Sequence, residues 1–230
     1  MMKYKSLFID LDDTLWDTYH NNKECLEEVY TAHHFDRYYA SFEAFFEIYW
    51  PHNNLLWEQY RNNEIDRQTL IIERFRYMLR PLGIEDTKSV LAINDFLQRT
   101  TRKTRLVPGA IELLEYLRPS YRMYILSNGF REVQFKKLCN SGLAPYFKRM
   151  ILSEDACIQK PHKEIFDFAL KNTNSRRSES LMIGDSWEAD IIGAHNSKID
   201  QLWLNPKGLP AKEFIPTYTV GSLEEIKRIL

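Results

Sequence analysis

The strongest constraint on the fold is a short apolar segment, Leu7-Phe8-Ile9, that runs directly into acidic residues. Its length and apolar character predict a buried β-strand. Asp10, Asp12 and Asp13 follow at once, so the strand would deliver carboxylates to one edge of a sheet. In open α/β sheets, ligands bind at the carboxyl ends of the strands. Because clustered carboxylates repel one another, we expect a divalent cation here. Mg²⁺ is commonly bound by one or two carboxylates together with phosphate and water.

The rest of the chain divides into two stretches with different periodicity. Residues 16–105 show helical spacing of apolar residues, and four helices are predicted over 17–33, 42–60, 67–79 and 87–99, the second interrupted near Pro51. From Pro108 onward, short apolar strands alternate with helices, which predicts a parallel, doubly wound sheet. We therefore expect a Rossmann-like α/β core of residues 1–15 and 106–230, with an inserted all-helical domain of residues 16–105.

Composition excludes several classes of function. The net charge of −1 over 230 residues gives no reason to expect binding to nucleic acid or to an anionic membrane. The apolar run near the N-terminus is too short for a signal peptide, and no stretch approaches the roughly 20 apolar residues of a membrane span. Three scattered cysteines form no CxxC motif, which favours reduced thiols. We expect a cytoplasmic protein that is a monomer or a weak dimer.

Polar residues follow the predicted strands in succession along the chain. They are Asp10 and Asp12, then Ser127 and Asn128, then Lys160 in front of Pro161, and finally Asp185 and Asp190 behind Gly184. Each group taken alone is a weak signal, because Asp-x-Asp and a serine after a strand are both common. Their order, each behind a strand, is a strong signal, since the carboxyl ends of parallel strands meet at one edge of the sheet.

This set of motifs resembles the haloacid dehalogenase superfamily, and the helical insertion after the first motif resembles the cap domain of that superfamily. The resemblance covers essentially the whole chain. It implies phosphoryl transfer that depends on Mg²⁺, with Mn²⁺ as the alternative ion, and that proceeds through an aspartyl-phosphate. Asp10 would be the nucleophile. Asp12 would protonate the leaving group and then accept a proton from the attacking water.

The remaining polar residues receive roles from the same resemblance. The metal would be bound by Asp10, Asp185 and the backbone carbonyl of Asp12. The phosphoryl oxygens would be bound by the ammonium group of Lys160, the hydroxyl of Ser127 and the backbone amide of Asn128. Asp190 would orient either Lys160 or a metal-bound water, and the sequence leaves these two roles open.

The substrate is expected to be a small phosphate ester. Asp12 favours a phosphatase over a dehalogenase, because attack on carbon needs no acid at that position. Residues 52–65, together with Ser127-Asn128-Gly129-Phe130, resemble pyrimidine 5′-nucleotidases. Trp57 or Phe130 would stack on a base, and Asn54 or Gln59 would bind its edge. The alternatives are that the aromatic residues fill the helical core, that the substrate is a sugar phosphate or phosphoglycolate, or that the chain is a non-catalytic phosphate-binding module.

Three positions depart from the pattern of the family that the chain resembles. Cys157, Ala189 and Lys198 stand where relatives often have Gly, Asn and Gly. Lys198 would be unfavourable if its turn requires a positive φ, and we expect Asn196 to take the left-handed conformation instead. No departure removes a catalytic group.

Overall fold

A computed structural model describes residues 3–230, which form two compact units. One unit, here called the helical unit, consists of residues 19–103, and the other, the sheet unit, consists of residues 3–18 and 104–230. The helical unit contains α1 (Thr18–Ala32, which begins one residue before it), α2 (Phe42–Arg61), α3 (Arg67–Leu79) and α4 (Asp86–Thr100). All four predicted helices are therefore present, with each boundary within one residue of its predicted position.

The helices of the helical unit surround an aromatic core. Phe45 is in ring contact with Tyr49 and Phe75, and Phe75 also contacts Phe96. Ser41 and Asp66 cap α2 and α3, since their side chains accept hydrogen bonds from the backbone N–H groups of the first turn.

The interruption predicted near Pro51 is absent, because α2 continues through this residue. Proline removes one backbone hydrogen bond and crowds the preceding turn. Pro51 is exposed, whereas Tyr49 and Leu56, on either side of it, are buried in the same unit. Packing of this apolar face holds the helix together across the proline.

The sheet unit is built on six parallel strands: β1 (Ser6–Ile9), β2 (Arg122–Ser127), β3 (Arg149–Leu152), β4 (Ser180–Gly184), β5 (Asp200–Leu204) and β6 (Tyr218–Val220). Their order is β3-β2-β1-β4-β5-β6, and each neighbouring pair is parallel. The predicted doubly wound, Rossmann-like fold is confirmed. β1 lies between β2 and β4, so the residues that follow these three strands emerge side by side.

Apolar clusters cover both faces of the sheet. On β1, Leu7 and Ile9 belong to one cluster, and Phe8 belongs to the cluster on the opposite face. The alternation follows from the two-residue period of a strand. Helices supply the rest of both layers; they are α5 (Ala110–Leu117), α6 (Arg131–Asn140), α7 (Ser153–Ala156), α8 (Lys163–Thr173), α9 (Gly193–Asn196) and α10 (Leu223–Ile226). Within residues 3–230, no helix has both the length and the apolar content needed to cross a membrane.

The helix predicted over 189–195 is wider than expected at its start. A π-helical turn, Trp187–Ile192, precedes α9. The carbonyl of Ser186 accepts hydrogen bonds from the N–H groups of both Asp190 and Ile191, which widens the turn. Turns of this kind are frequent at functional sites.

Two of the three departures from the family pattern adopt the left-handed conformation. Cys157 has φ = 53° and Lys198 has φ = 56°. The expectation that Asn196 would take this conformation instead of Lys198 is wrong. Asn196 ends α9, and the chain turns left-handed two residues later, where the N–H of Ile199 bonds back to the carbonyl of Ala194. Glycine adopts the left-handed conformation without steric conflict because it has no Cβ, which would explain a glycine at these positions in the family that the chain resembles.

Candidate active site

The ends of three adjacent strands bring the first candidate residues together. β1 ends at Ile9 and is followed by Asp10, β2 ends with Ser127, and β4 ends at Gly184 and is followed by Asp185. Ile9 is in register with Ile125 and with Ile183 on the two neighbouring strands. The polar residues therefore meet at the carboxyl edge, where α/β sheets bind ligands.

Lys160 is the most heavily bonded side chain at this edge. Its Nζ donates to Asp10 Oδ1 at 2.7 Å, to Asp190 Oδ1 at 2.6 Å and to the backbone carbonyl of Leu126 at 2.8 Å. Lys160 is only 2% exposed, so these three acceptors replace the water that its ammonium group would otherwise bind. Of the two roles left open for Asp190, the structure gives it the direct contact with Lys160.

The backbone around Lys160 is held by Asn128. The side-chain amide of Asn128 donates to the carbonyl of Lys160 at 2.9 Å, and the N–H of Lys160 donates to Asn128 Oδ1 at 2.8 Å. This paired contact ties the loop that carries Lys160 to the end of β2. The side chain of Asn128 is therefore occupied in positioning Lys160.

Asp190 reaches Lys160 because the chain leaves room for it. A Cβ on Gly184 would lie 2.2 Å from Asp190 Oδ2, so a side chain at that position would displace the carboxylate. Asp190 Oδ2 also accepts a hydrogen bond from the N–H of Ser186 at 3.2 Å. The glycine and the π-helical turn together bring this carboxylate to the lysine.

Asp10, Asp185 and Asp190 form an acidic cluster whose ligand oxygens lie within 4.8 Å of one another. Among residues 3–230, Lys160 is the one cation that makes ion pairs with it. When all three carboxylates are ionised, the one ammonium group leaves two negative charges uncompensated. Burial raises the pKa of Asp10 to about 7; Lys160 opposes the rise, and the charges of Asp190 and Asp12 add to it. Burial and the neighbouring carboxylates also raise the pKa of Asp185 well above its usual range.

The cluster fits a hard divalent cation. Its charge deficit equals the charge of one Mg²⁺, and carboxylate oxygens are the ligands that Mg²⁺ prefers. Both oxygens of Asp190 already accept hydrogen bonds, which leaves Asp10 and Asp185 as the better ligands. Asp185 is itself oriented by Thr14, whose hydroxyl donates to Asp185 Oδ1 at 3.0 Å.

Asp12 lies beside two residues that the sequence reasoning missed. Lys137 Nζ donates to Asp12 Oδ1 at 2.5 Å, and Gln134 Nε2 donates to Asp12 Oδ2 at 2.6 Å. Burial alone would raise the pKa of Asp12. The charge of Lys137 and the hydrogen bonds from Lys137, Gln134 and Thr18 outweigh it and hold the pKa below its usual range. The geometry thus favours the ionised form, which is the form that accepts a proton.

Ser127 and Gln134 are joined by a hydrogen bond at the end of β2. Gln134 Nε2 donates to Ser127 Oγ at 2.7 Å, and the N–H of Gly129 donates to the same oxygen at 3.1 Å. Ser127 is 2% exposed. The signal that could have drawn attention to Gln134 and Lys137 is their three-residue spacing on a helix directly after a strand-end motif, which puts both on one helical face.

The predicted specificity residues lie in different environments. Phe130, in the sheet unit, is 3% exposed and precedes α6. In the helical unit, Asn54 is exposed and Trp57 is half-buried on α2, with the Arg74 guanidinium 5.4 Å from its ring centroid. Asn54 and Trp57 therefore offer more accessible surface to a ligand than Phe130 does.

A parallel sheet with an acidic cluster and a buried lysine at its carboxyl edge defines an α/β enzyme with an acidic active site. The chain belongs to the haloacid dehalogenase-like hydrolase family, whose model matches residues 4–198. The predicted family and the prediction of an enzyme are confirmed, and the enzyme is a hydrolase.

Individual relatives extend over nearly the full chain. It is 33% identical to the pyrimidine 5′-nucleotidase YjjG of Escherichia coli K12, over 100% of this chain and 99% of the relative. The chain is also 32% identical to the pyrimidine 5′-nucleotidase PynA of Streptococcus pneumoniae, and this match covers 98% of the chain and 94% of the relative. The magnesium-bound crystal structure of the Bacillus subtilis protein YfnB matches with a TM-score of 0.88 and 30% identity, covering 99% of this chain and 98% of that one.

Proposed function

We propose that the protein is a Mg²⁺-dependent phosphatase that hydrolyses phosphate monoesters through a phosphorylated Asp10. The observation that carries the proposal is the environment of Asp10. It lies at the end of the central strand, bound by Lys160, in a cluster with two uncompensated negative charges, and Asp12 follows two residues later. A nucleophile, an acid–base group and a cation site in one place are the parts that phosphoryl transfer requires.

In the first half of the reaction, an Asp10 oxygen attacks phosphorus and the bond from phosphorus to the ester oxygen breaks. For this step Asp12 carries a proton, and its contacts with Lys137 and Gln134 favour the release of that proton. The ester oxygen takes the proton and leaves as an alcohol. Lys160 and the Ser127 hydroxyl lie at the same strand ends and would bind phosphoryl oxygens while charge is redistributed.

In the second half, water attacks phosphorus and the bond from phosphorus to Asp10 breaks. Asp12 accepts the proton of the water, so inorganic phosphate is released and both aspartates return to their starting state. Asp10, Asp185 and the backbone carbonyl of Asp12 would hold Mg²⁺, which when bound supplies charge neutralisation between the anionic nucleophile and the anionic phosphate.

The substrate we propose is a pyrimidine nucleoside 5′-monophosphate. Two relatives that carry this activity in their names match the chain over nearly its full length. Trp57, Asn54 and Phe130 remain the predicted specificity residues. The three cysteines are free, which supports a reducing, cytoplasmic setting.

The test is phosphate release from a panel of esters, measured with Mg²⁺ and with EDTA. The panel holds dUMP, dTMP, UMP, purine nucleotides, sugar phosphates and phosphoglycolate. We expect release that depends on Mg²⁺ and favours the pyrimidine nucleotides. Asp10→Asn should lower turnover at least about a thousand-fold, because the amide is not a nucleophile for phosphorus.

The matched control is Asp13→Asn. Asp13 is an exposed neighbour that accepts a hydrogen bond from the N–H of Thr18, and asparagine keeps that acceptor. Near-normal turnover by Asp10→Asn would contradict the covalent mechanism. Preference for a sugar phosphate or phosphoglycolate would keep the chemistry and replace the substrate, and no release from any ester would favour a binding module.

A further inference from the structure

Helix α6 presents two buried polar side chains to Asp12. Gln134 is 1% exposed and Lys137 is 6% exposed, although both are polar residues on a helix that also carries exposed ones. Their three-residue spacing places them on the same helical face. Burying an amide and an ammonium group is unfavourable unless each is bonded, so their position calls for a partner that compensates both. Asp12 is that partner.

The contacts leave Asp12 one open position. An ionised carboxylate has about four lone-pair sites. Three are used by donors within the described chain, because Lys137 and Thr18 donate to Oδ1, at 2.5 Å and 3.3 Å, and Gln134 donates to Oδ2 at 2.6 Å. The remaining site is on Oδ2. Proton exchange by Asp12 is therefore confined to one oxygen and one direction.

Lys137 also contacts an aromatic ring. Its Nζ lies 3.9 Å from the centroid of the Trp16 ring, a distance at which the ring attracts the cation. An ammonium group that contacts both an indole ring and a carboxylate has little freedom to move into solvent. Lys137 thus fixes the Oδ1 side of Asp12 without occupying Oδ2.

Gln134 acts on Ser127 as well. A serine hydroxyl has two lone pairs and one O–H. Both lone pairs of Ser127 Oγ are used, since Gln134 and the N–H of Gly129 donate to it at 2.7 Å and 3.1 Å. The O–H is thereby left to donate, and no acceptor for it lies among the described residues. The side-chain amide of Gln134 therefore orients both the Ser127 hydroxyl at the end of β2 and the Asp12 carboxylate after β1.

We propose that Gln134 and Lys137 are positioning residues for proton transfer by Asp12, and that Gln134 also sets the Ser127 hydroxyl as a donor to the phosphoryl group. The inference rests on the proposed phosphatase function and adds two residues to it. Lys137 acts on the leaving group alone, through Asp12. Gln134 acts on the leaving group and on the phosphoryl oxygens together.

Gly129 provides a way to move Gln134 without removing it. A Cβ on Gly129 would lie 2.4 Å from Gln134 Cδ and Nε2. The contact is with the far end of a flexible side chain, so Gly129→Ala should displace the amide while the backbone stays folded. Gly129→Ala is therefore a second variant, beside Gln134→Leu, that tests the role of Gln134.

The experiment compares kcat/KM for two esters in the presence of Mg²⁺. One is UMP, whose alcohol leaving group needs a proton, and the other is p-nitrophenyl phosphate, whose phenolate does not. We expect Lys137→Met to lower kcat/KM for UMP about 10- to 100-fold and for p-nitrophenyl phosphate less than about 3-fold. Lys137→Arg should restore most of the loss because it keeps the charge.

Gln134→Leu and Gly129→Ala should lower kcat/KM for both esters, with the larger loss on UMP. Lys136→Met is the matched control, because Lys136 is an exposed neighbour on the same helix, and it should change neither value. Thermal unfolding of each variant checks that it is folded. If Lys137→Met does not fold, Lys137→Gln, which also removes the charge, takes its place in the comparison between esters.

Three outcomes would overturn the inference. Equal losses on both esters for Lys137→Met would mean that Lys137 does not act through proton transfer. Unchanged values for Gln134→Leu and Gly129→Ala would remove Gln134 from the site. If the wild-type enzyme released phosphate from neither ester, the proposed function would fail and the inference would fall with it. The wild-type measurement therefore separates the two failures.

Discussion

Each of the two units buries a basic side chain almost completely, and the surroundings of the two charges are opposite. In the sheet unit, Lys160 is 2% exposed and bonds to two carboxylates and a backbone carbonyl. In the helical unit, Arg74 is 4% exposed, and no described carboxylate forms an ion pair with it. Its guanidinium lies over the Trp57 ring, and its Nε has no hydrogen-bond partner within the described residues.

The charges of Arg74 and Lys160 are compensated to different degrees. Burial lowers the pKa of Arg74, with Tyr49 acting in the opposite direction, so the helical unit bears the cost of a poorly solvated charge. The acidic cluster around Lys160 has the opposite imbalance, because its three carboxylates outnumber the one ammonium group that pairs with them. A buried charge network rarely adds net stability compared with apolar packing. We therefore explain the network around Lys160 by chemistry at the strand ends, and we expect the charge of Arg74 to be dispensable for folding.

The largest effect is expected for Lys160→Met. Removing the ammonium leaves Asp10 and Asp190 as buried carboxylates without their cation. Loss of one partner of a buried ion pair costs about 3–5 kcal/mol of unfolding free energy. Turnover should fall at least about 100-fold, because a positive charge beside the phosphoryl group is lost. Urea unfolding and phosphate release measure the two quantities.

Lys163→Met is the control for that comparison. Lys163 lies three residues further on and pairs with Asp167 at the surface, where both side chains are well exposed. Stability and turnover should hardly change. If Lys160→Met behaved like Lys163→Met, the contrast between a compensated active-site charge and a surface charge would be lost.

A smaller effect is expected from adding Mg²⁺, which supplies the positive charge that the acidic cluster lacks. Mg²⁺ at 100 times its dissociation constant should stabilise the wild-type protein by about 2.7 kcal/mol, because it binds the folded state and relieves carboxylate repulsion. Asp185→Asn removes one carboxylate of the cluster, so the metal-free variant should melt higher than the metal-free wild type and respond little to Mg²⁺. Thermal unfolding with and without Mg²⁺ measures both changes.

Sodium chloride at the same ionic strength is the control for this titration, since general screening acts on all exposed charges. A wild-type melting temperature that rises equally with sodium chloride and with Mg²⁺ would argue against a specific cation site at Asp10 and Asp185.

The smallest effect is expected for Arg74→Met, which replaces a buried cation by an apolar chain of similar length. The unfolding free energy should stay the same or rise by about 1 kcal/mol. Turnover of p-nitrophenyl phosphate should not change. Arg76→Met is the matched control on α3, because Arg76 pairs with Glu73 and Asp86 and should lose a little stability instead. A clear loss of stability in Arg74→Met would mean that its charge is compensated in the helical unit after all.

Much of the fold could be predicted because local patterns and global packing agree. The apolar run before Asp10, the alternation of strands and helices after Pro108, and the helical period of the insertion each predicted an element that the structure contains. The continuity of α2 through Pro51 could not be predicted, since it depends on the core that its two halves share. The left-handed turn at Lys198 likewise depends on how α9 is joined to β5.

The candidate site divides in the same way. A residue directly behind a parallel strand has its place decided by the strand itself, so Asp10, Ser127 and Asp185 could be grouped from sequence order alone. Gln134 and Lys137 belong to a helix, and a helical face shows only that two residues point the same way. Which group they meet depends on the packing of α6 beside the end of β1. The sequence by itself determined the chemistry at the strand ends. Only the tertiary structure decided what holds Asp12, because contacts between a helix and a strand distant in sequence follow from packing and leave no local pattern.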